Sequence, residues 1–531
     1  MKKFVFIAFF ALVGASCNIN QLETDNLAIE NYQGTIGIPV GEFNETFRRL
    51  FEDLIDSSQN LQIGEDSIFV LVFVDSLSYD NVDDLVVIDD ITNGTIVELS
   101  ETPASPVATQ IPVDETFTFS YQPQNGEPTD SVVYESGTLS LRINSSLDSP
   151  LDFQFDIFNT IDASGNNVAF SGNVGSNSNF DGSQDLANHS TFLTLDGDQN
   201  TFQVRFTGTI NLQPGDAISS TDILSFNLTY RDQTIREVYG FFGNDNLQIG
   251  NQSIDVSFFE EFGTGVVFEN PQMIMRFDNS FGVPIGLNLG GIAGINNSGA
   301  TPDTTFLSGA VTESSQVIAS PDRTQVGQTI SDEFSVDSQN SNLAELLAAS
   351  PDQLNFNISA TTNPGSTFAQ NFVTNQSALD AEIEMRLPLS VQFNNVRREV
   401  DFSLNTDINL NDVDSAAIRF VTNNQLPLNA SLGIQFKAAD STVLATVDST
   451  LVLASPFINR DNRVVEGENN VANLSLNKEA LTAFQDSEIL TIILTLNTPE
   501  TLNSQEIFVD LLAQYMLEMK VSLVVKLNVD L

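Results

Sequence analysis

Most of this chain alternates apolar and polar residues with a period of two, and Gly, Asn, Asp and Pro break the alternation at short intervals. That period suits strands with one face in a core, and it does not suit a helical bundle, whose apolar residues recur three and four apart. Residues 68–74, 117–121, 138–143, 202–210 and 223–228 read as strands. The C-terminus is the most regular: Val521, Leu523, Val525, Leu527, Val529 and Leu531 make one wholly apolar face, so the chain is expected to end inside a sheet. Four stretches read as helices instead. Residues 44–57 follow a strand at 34–40, with Asn44 as N-cap and Phe47, Leu50, Phe51, Leu54 and Ile55 on one face. Residues 342–349 stop at Ser350-Pro351, and 478–484 are capped by Asn477. Residues 504–519 carry Ile507, Phe508, Leu511, Leu512, Tyr515 and Met516 on one face. The expected fold class is mainly β: several tandem β-sandwich-like domains with a few short helices.

At 531 residues the chain exceeds what one core can organise and suits three or four domains. Its start is a separate matter. Lys2 and Lys3 precede a ten-residue apolar run, then Gly14-Ala15-Ser16, then Cys17, the one cysteine of the chain. A ten-residue helix rises about 15 Å, half of a bilayer core of about 30 Å. The run therefore reads as a secretory signal removed from the mature chain. A cysteine directly after small residues is the layout of a bacterial lipoprotein signal, which makes Cys17 a lipidation site and residue one of the mature protein. Gly14 stands where many such signals carry Leu. The expected divisions are a signal peptide at 1–16, a tether at 17–33, an N-terminal β-domain with one helix at 34–135, and β-sandwiches at 136–265, 266–400 and 401–531.

The chain carries 20 Lys and Arg against 70 Asp and Glu, a formal charge of −50. Such a polyanion repels nucleic acid and anionic headgroups, so neither is expected as a partner. The acids are scattered, which reads as a solvated surface rather than a tail. With one cysteine, no disulfide forms within the chain. The 40 Phe supply the burial instead, each buried ring contributing about 1.5–3 kcal/mol.

A loose repeat runs through the strands. Arg142-Ile-Asn144 leads to Pro150-Leu151, Arg276-Phe-Asp-Asn279 to Pro284-Ile285, and Arg419-Phe-Val-Thr-Asn423 to Pro427-Leu428. The prolines stand 134 and 143 residues apart, the size of a sandwich domain. Met385-Arg386-Leu387-Pro388-Leu389 reads as a truncated fourth copy. Arg142, Arg276, Arg386 and Arg419 are notable where cations are scarce. They read as outward-facing residues paired with local carboxylates, with an anionic ligand site as the rival.

Catalytic signals are sparse. Any histidine-dependent dyad or triad would have to use His189, the one histidine, which sits in a loop-like Asn-His-Ser context. No nucleophile elbow, phosphate loop or dinucleotide fingerprint stands in a strand–helix context. Paired carboxylates could make a glycosidase, but in so acidic a chain pairs arise by chance. Zero Trp and seven Tyr argue against a flat sugar platform. Calcium is the one metal with a motif. Asp196, Asp198 and Asn200 have the spacing of a calcium-loop start, but Thr201 and Thr207 stand where that loop needs glycine and an acid. A hairpin turn explains the same residues. Asp80, Asp83, Asp84, Asp89 and Asp90 read as an acidic loop and strand edge. No cofactor is expected.

Dispersed stretches carry a family resemblance: residues 36–43 (IGIPVGEF), 239–244 (YGFFGN), 269–285 (ENPQMIMRFDNSFGVPI), 341–351, 362–373 and 384–389. With these the chain resembles a family of large β-sandwich-rich lipoproteins of the Bacteroidota outer membrane. The family brings no catalytic residues with it; it implies a lipid-anchored outer-membrane protein. Exported proteins of that phylum resemble one another in O-glycans at Asp-Ser/Thr followed by a small or apolar residue, which marks Ser67, Ser76, Ser131, Thr304, Ser415, Ser441 and Ser449. Acids directly after the lipidated Cys accompany surface export there. Here Asn18 to Leu22 intervene, so the periplasmic face is expected over the cell surface. The leading expectation is a non-enzymatic scaffold or accessory lipoprotein with an envelope protein partner. The rivals are a surface protein that binds a glycan or polymer, and a carboxylate-dependent hydrolase.

Overall fold

A computed structural model describes residues 32–46, 48, 60–64, 66–82, 85–122, 128–197, 199–256, 265–297, 301–366, 369–403, 413–499 and 507–529. Cys17, Asp198 and Leu531 lie outside these, as do Asp83, Asp84 and most of the expected helix at 44–57. The described chain is mainly β, as its period-two alternation predicts, with antiparallel pairing throughout the named ladders.

The strands fall into three sets of eight with one wiring. The inner set is Ile91–Val97, Thr109–Ser120, Thr129–Ser145, Leu151–Ile161, Asn167–Val174, Asn179–Asp185, Gln199–Leu212 and Leu224–Gly240. The middle set is Phe69–Tyr79, Asn246–Asp255, Gln272–Asn279, Ile285–Asn288, Gln316–Ile318, Ile330–Asp337, Gln353–Thr362 and Leu379–Pro388. The outer set is Tyr32–Thr46, Val396–Ser403, Val413–Asn424, Asn429–Lys437, Val443–Leu453, Glu468–Leu476, Ile489–Asn497 and Met516–Val529. In every set one sheet has the order one–eight–three–six and the other two–seven–four–five. Two four-stranded antiparallel sheets wired this way make a jelly roll.

The three rolls are nested. The middle roll's first strand is followed by the whole inner roll before its second strand begins. The outer roll's first strand is likewise followed by both other rolls. Residues 34–135 are therefore not a domain: they supply strand one to all three rolls and strand two to the inner one. The sequence borders assumed contiguous domains, and the insertions break that assumption. The proposed fourth copy at 385–389 lies at the end of the middle roll's eighth strand rather than opening a roll.

The repeat marks one corner of each roll, where strand three turns into strand four. Asn279 is fully buried, donates from Nδ2 to the carbonyls of Val283 (3.1 Å) and Ala319 (3.0 Å), and accepts from the Phe281 N–H (3.0 Å). Asn424 repeats this with Leu428 (3.1 Å), Ala454 (2.8 Å) and the Leu426 N–H (2.9 Å). In the inner roll Ser145 takes the place, its hydroxyl accepting from the Leu147 N–H (3.2 Å). Each of the three pairs across the ladder with a leucine of strand eight: Leu379, Leu517 and Leu224. The buried amide satisfies backbone groups that the corner would otherwise strand away from water.

The inner roll has an aromatic core. Phe155 meets Phe226 edge-on at 4.7 Å between ring centres, and Phe206 stacks on both Phe153 and Phe226 at 6.3 Å. The short strand Ser190–Phe192 closes one side by pairing with strands three and four at once. In the middle roll strand four is interrupted at Gly290-Gly291 and resumes as Ile292–Asn296 against the same strand seven. A Cβ on Gly291 would lie 2.0 Å from the Asn357 carbonyl oxygen, so the interruption requires glycine.

Two helix expectations hold. Leu343–Ala348 and Lys478–Asp486 both join strand six to strand seven, and the Asn477 side chain accepts from the Ala480 N–H at 2.8 Å as an N-cap. One cap and one whole helix differ. Asn44 lies in the strand Tyr32–Thr46 opposite Glu518, so it is not an N-cap; Arg48 is helical, and the rest of that stretch lies outside the described residues. In the expected helix at 504–519, Val509–Asp510 is a short strand and Met516 opens strand eight. Leu511, Leu512 and Tyr515 are buried there at spacings that mimic a helical stripe, while Ile507, Phe508 and Met516 are half-buried.

Candidate functional site

Three groupings of ionisable side chains stand out, one on an open sheet face and two at junctions between rolls; isolated pairs such as Arg205–Asp114 at 2.6 Å lie elsewhere. On the face of the middle roll's one–eight–three–six sheet, Arg276 reaches Glu333 (2.9 Å), Glu382 (2.8 Å) and Glu384 (2.6 Å), while Arg386 reaches Glu384 (3.2 Å). These hydrogen bonds push the Arg276 guanidinium well above its usual range. In the inner roll Arg142 lies 3.8 Å from Asp181. Arg419 is exposed on the outer roll. Arg142, Arg276 and Arg386 are thus paired with local carboxylates, as expected.

Between the inner and middle rolls, Asn371–Thr374 leaves the connection before the middle roll's strand eight and adds to the inner roll's strand eight. Arg323 donates to the Asp130 carboxylate (2.5 Å) and the Gly240 carbonyl (3.3 Å), and lies 5.6 Å over the Tyr239 ring. Buried Asn363 and Asn371 exchange side-chain hydrogen bonds at 3.0 Å. Gly282, inside the distinctive Asn-Ser-Phe-Gly-Val-Pro stretch, lets the Phe372 ring approach to 2.1 Å from where a Cβ would stand. That stretch serves the joint between rolls.

Between the middle and outer rolls a small sheet forms from Val266–Phe268, Ser390–Phe393 and Val509–Asp510. Glu269, Ser390 and Asp510 stand side by side across it: the Glu269 N–H donates to the Ser390 carbonyl, and Ser390 pairs with Asp510. The Ser390 hydroxyl donates to Glu269 Oε2 at 2.6 Å and also hydrogen-bonds the Asp510 carboxyl. Arg463 places Nε 3.5 Å from Asp510 and donates to the Asp66 carbonyl at 3.2 Å. Asp510 is 7% exposed, and burial pushes its carboxyl above the usual range. Beside it the Tyr515 hydroxyl accepts from the Val464 N–H, and burial raises it too.

The sequence-derived candidates are dispersed. Asp196 is exposed opposite Gln199 in a hairpin, and Asn200, paired with Leu195, belongs to the other face. Asn200 is fully buried and its side-chain oxygen accepts from the Thr129 N–H at 2.9 Å, so the hairpin does not gather Asp196 and Asn200 around one point. Among the described residues no group of three or more His, Cys, Asp or Glu is placed to hold a metal ion. Asp80 is exposed, and Asp90 accepts from the Asp232 N–H while the Asp89 carbonyl accepts from Gln233, so these two tie strand one to the turn after 231. Ser76, Thr304, Ser441 and Ser449 are exposed, Ser67 and Ser415 half-buried, and Ser131 buried within strand three of the inner roll.

His189 hydrogen-bonds the Ala187 carbonyl through Nδ1, and its Nε2 is buried. Sequence reasoning missed a nearby buried hydroxyl chain. Tyr134 links Tyr121 (3.1 Å) and Thr191 (2.8 Å), and Thr160 links Thr191 (3.0 Å) and Tyr230 (2.8 Å). Burial raises all three phenols, Tyr230 to about 12, so they stay protonated and act as structural donors. Polar residues at inward positions of alternating strands were the available signal.

No family model matches the chain, and no curated protein matches it. Solved structures do. It is similar to a protein of Parabacteroides distasonis, of the Bacteroidota, described as secreted: 12% identity, 54% of this chain and 88% of that one, TM-score 0.30. It is also similar to a triple jelly roll protein of an archaeal virus, at 12% identity over 85% of this chain and 95% of that one, TM-score 0.12. No helix among the described residues is long and apolar enough to cross a membrane.

Proposed function

We propose that this chain is a lipid-anchored envelope protein without enzymatic activity, a stack of jelly rolls that holds a protein partner away from the outer membrane. The observation that carries this reading is the placement of the two ends. Tyr32 pairs with Val529, so the described chain begins and ends at the same end of the outer roll. The middle roll stands on the opposite end of the outer one, and the inner roll on the middle one. An anchor on Cys17 would leave the inner roll farthest from the membrane.

The far end of the inner roll is well organised. Thr102 and Ile218 exchange backbone hydrogen bonds at 2.9 and 3.0 Å, Ser105 pairs with Asp216 and Gly215, and Asn177 donates to Asp148 at 2.7 Å. Val107 and Ile223 stand exposed there. This crown is the surface the reading assigns to the partner. Exposed Ser76, Thr304, Ser441 and Ser449 are the acceptors the fold leaves open to O-glycosylation.

The test places an affinity tag in the exposed turn at 438–442 and isolates the protein from envelopes in mild detergent. The expected result is one stoichiometric envelope protein, lost when the inner roll is deleted, with metabolic palmitate label lost in Cys17→Ala. A solitary protein that binds glycan or polymer after all partners are stripped away overturns the scaffold reading in favour of a surface adhesin. Protease treatment of intact cells distinguishes the two faces of the membrane; protection supports the periplasmic one.

A further inference from the structure

We propose that the row Glu269–Ser390–Asp510 is a proton-operated latch between the middle and outer rolls, closed when one proton is held between its two carboxyls and loosened when both are ionised. A serine hydroxyl has one hydrogen to donate and lone pairs to accept. Ser390 gives its hydrogen to Glu269 at 2.6 Å. An ionised Asp510 beside the same oxygen then finds no donor in that hydroxyl, whereas a protonated Asp510 donates to it. The protonated row reads Asp510 to Ser390 to Glu269, a continuous chain from the outer roll to the middle roll. Both flanking carboxyls belong to different rolls, so the proton count acts on the joint itself.

The surroundings make the ionised state costly. Ser390 is 4% and Asp510 7% exposed. The charged and titratable groups facing Asp510 are Glu269 from the sheet strand, Arg463 from the hairpin of the outer roll, and Tyr515 on its own connection. Arg463 is divided: its Nε is 3.5 Å from Asp510 while its terminal nitrogen bonds the Asp66 carbonyl and lies 4.0 Å from the Asp66 carboxylate. One guanidinium is shared between the Asp510 and Asp66 carboxyls. Burial, the largest influence, and the Glu269 charge raise the Asp510 carboxyl, and its bonds to Ser390 and Arg463 offset part of that rise. A carboxyl raised in the folded state adds stability that is complete below its unfolded value and is lost as pH rises through the folded one. The latch therefore holds in acid and slackens as pH rises through the raised Asp510 carboxyl.

The joint has its own reporters. The Leu511 N–H donates to the Leu389 carbonyl, and the Leu389 N–H to the Phe69 carbonyl, across the same junction. Amide hydrogen exchange on the full chain is measured between about pH 4.5 and 7.5, with protection at Leu389 and Leu511 divided by protection at Phe206 and Phe226 in the inner roll. This ratio is expected to fall as pH rises, by up to about tenfold for each unit by which the carboxyl is raised. In Asp510→Asn, whose amide donates to Ser390 at every pH, the ratio is expected to stay at its acid value. Glu269→Gln, on a less buried side chain, relieves the same competition and is expected to flatten the profile should Asp510→Asn fail to fold. A pH-independent ratio in the natural chain, or a fall of equal size in either foldable variant, overturns the latch.

Discussion

Asn279, Asn424 and Ser145 do one job at the same corner of three rolls, and the strength of that job differs with the side chain. An amide satisfies two carbonyls and an N–H, whereas the hydroxyl accepts from one N–H. Asn424→Ala would strand the Leu428 and Ala454 carbonyls and the Leu426 N–H, at a cost of about 1–3 kcal/mol for buried unsatisfied groups. Denaturant unfolding checks this, and Asn424→Ser is expected to recover part of the loss. The same internal comparison locates a defect. A small apolar cavity in the middle roll is lined by Leu77, Phe277, Leu287, Ile358, Leu379, Ala381 and Ile383. Ladder register matches Ala381 with Phe226 of the inner roll, two residues beyond Leu379 and Leu224. The inner roll fills with a phenyl ring what the middle roll leaves partly open. Ala381→Val is expected to stabilise the middle roll by about 0.5–1 kcal/mol, through filling and strand preference, read as a raised melting temperature.

The local elements show what the sequence made legible. The helix capped by Asn477 was readable because its cap and its apolar spacing are both local. Asn477→Ala should cost about 1 kcal/mol, visible as loss of protection at the Ala480 amide. Strands whose alternation faces one core were equally readable. The stretch around Leu511 was not, since a connection squeezed between two rolls is apolar on every side and shows no strand period. The junction row Glu269–Ser390–Asp510 was illegible for another reason: it assembles three residues far apart in sequence through pairings that only the folded molecule makes. The proline spacing did count the rolls, but the asparagine of the motif is the corner residue only at Asn279; in the other two rolls the corner falls one residue later, at Ser145 and Asn424, after Asn144 and Asn423. The meaning of its neighbours, Ala319 and Ala454 among them, depended on a connection far downstream.

At the scale of the whole molecule, nesting decides which cuts the fold tolerates. The inner roll enters and leaves the middle roll through residues near 80–90 and 241–245, so it is an excisable unit. Replacing residues 89–240 with a short Gly/Ser linker is expected to leave the middle and outer rolls folded, as one cooperative thermal transition fewer. The fragments 1–135 and 401–531 are each expected not to fold, because neither holds strand one of the outer roll together with its strands two to eight. The two lower rolls each extend a short strand and an arginine toward a neighbour, Asn371–Thr374 with Arg323 and Val509–Asp510 with Arg463. The inner roll instead ties its corresponding connection to itself through Thr102 and Ile218, which closes the series.

The three first strands, Tyr32–Thr46, Phe69–Tyr79 and Ile91–Val97, follow one another along the chain, with the short strand Asn60–Ile63 between the first two and paired to the second. Each lies against its own eighth strand, the first of them over a ladder from Tyr32 to Thr46. Tension entering at the N-terminus and drawn off at the far end would run lengthwise through these strands in series. It would load each ladder in shear, with its hydrogen bonds resisting together, rather than peeling them apart one after another. The nesting thus turns three separate domains into a single cord threaded through three anchored grips.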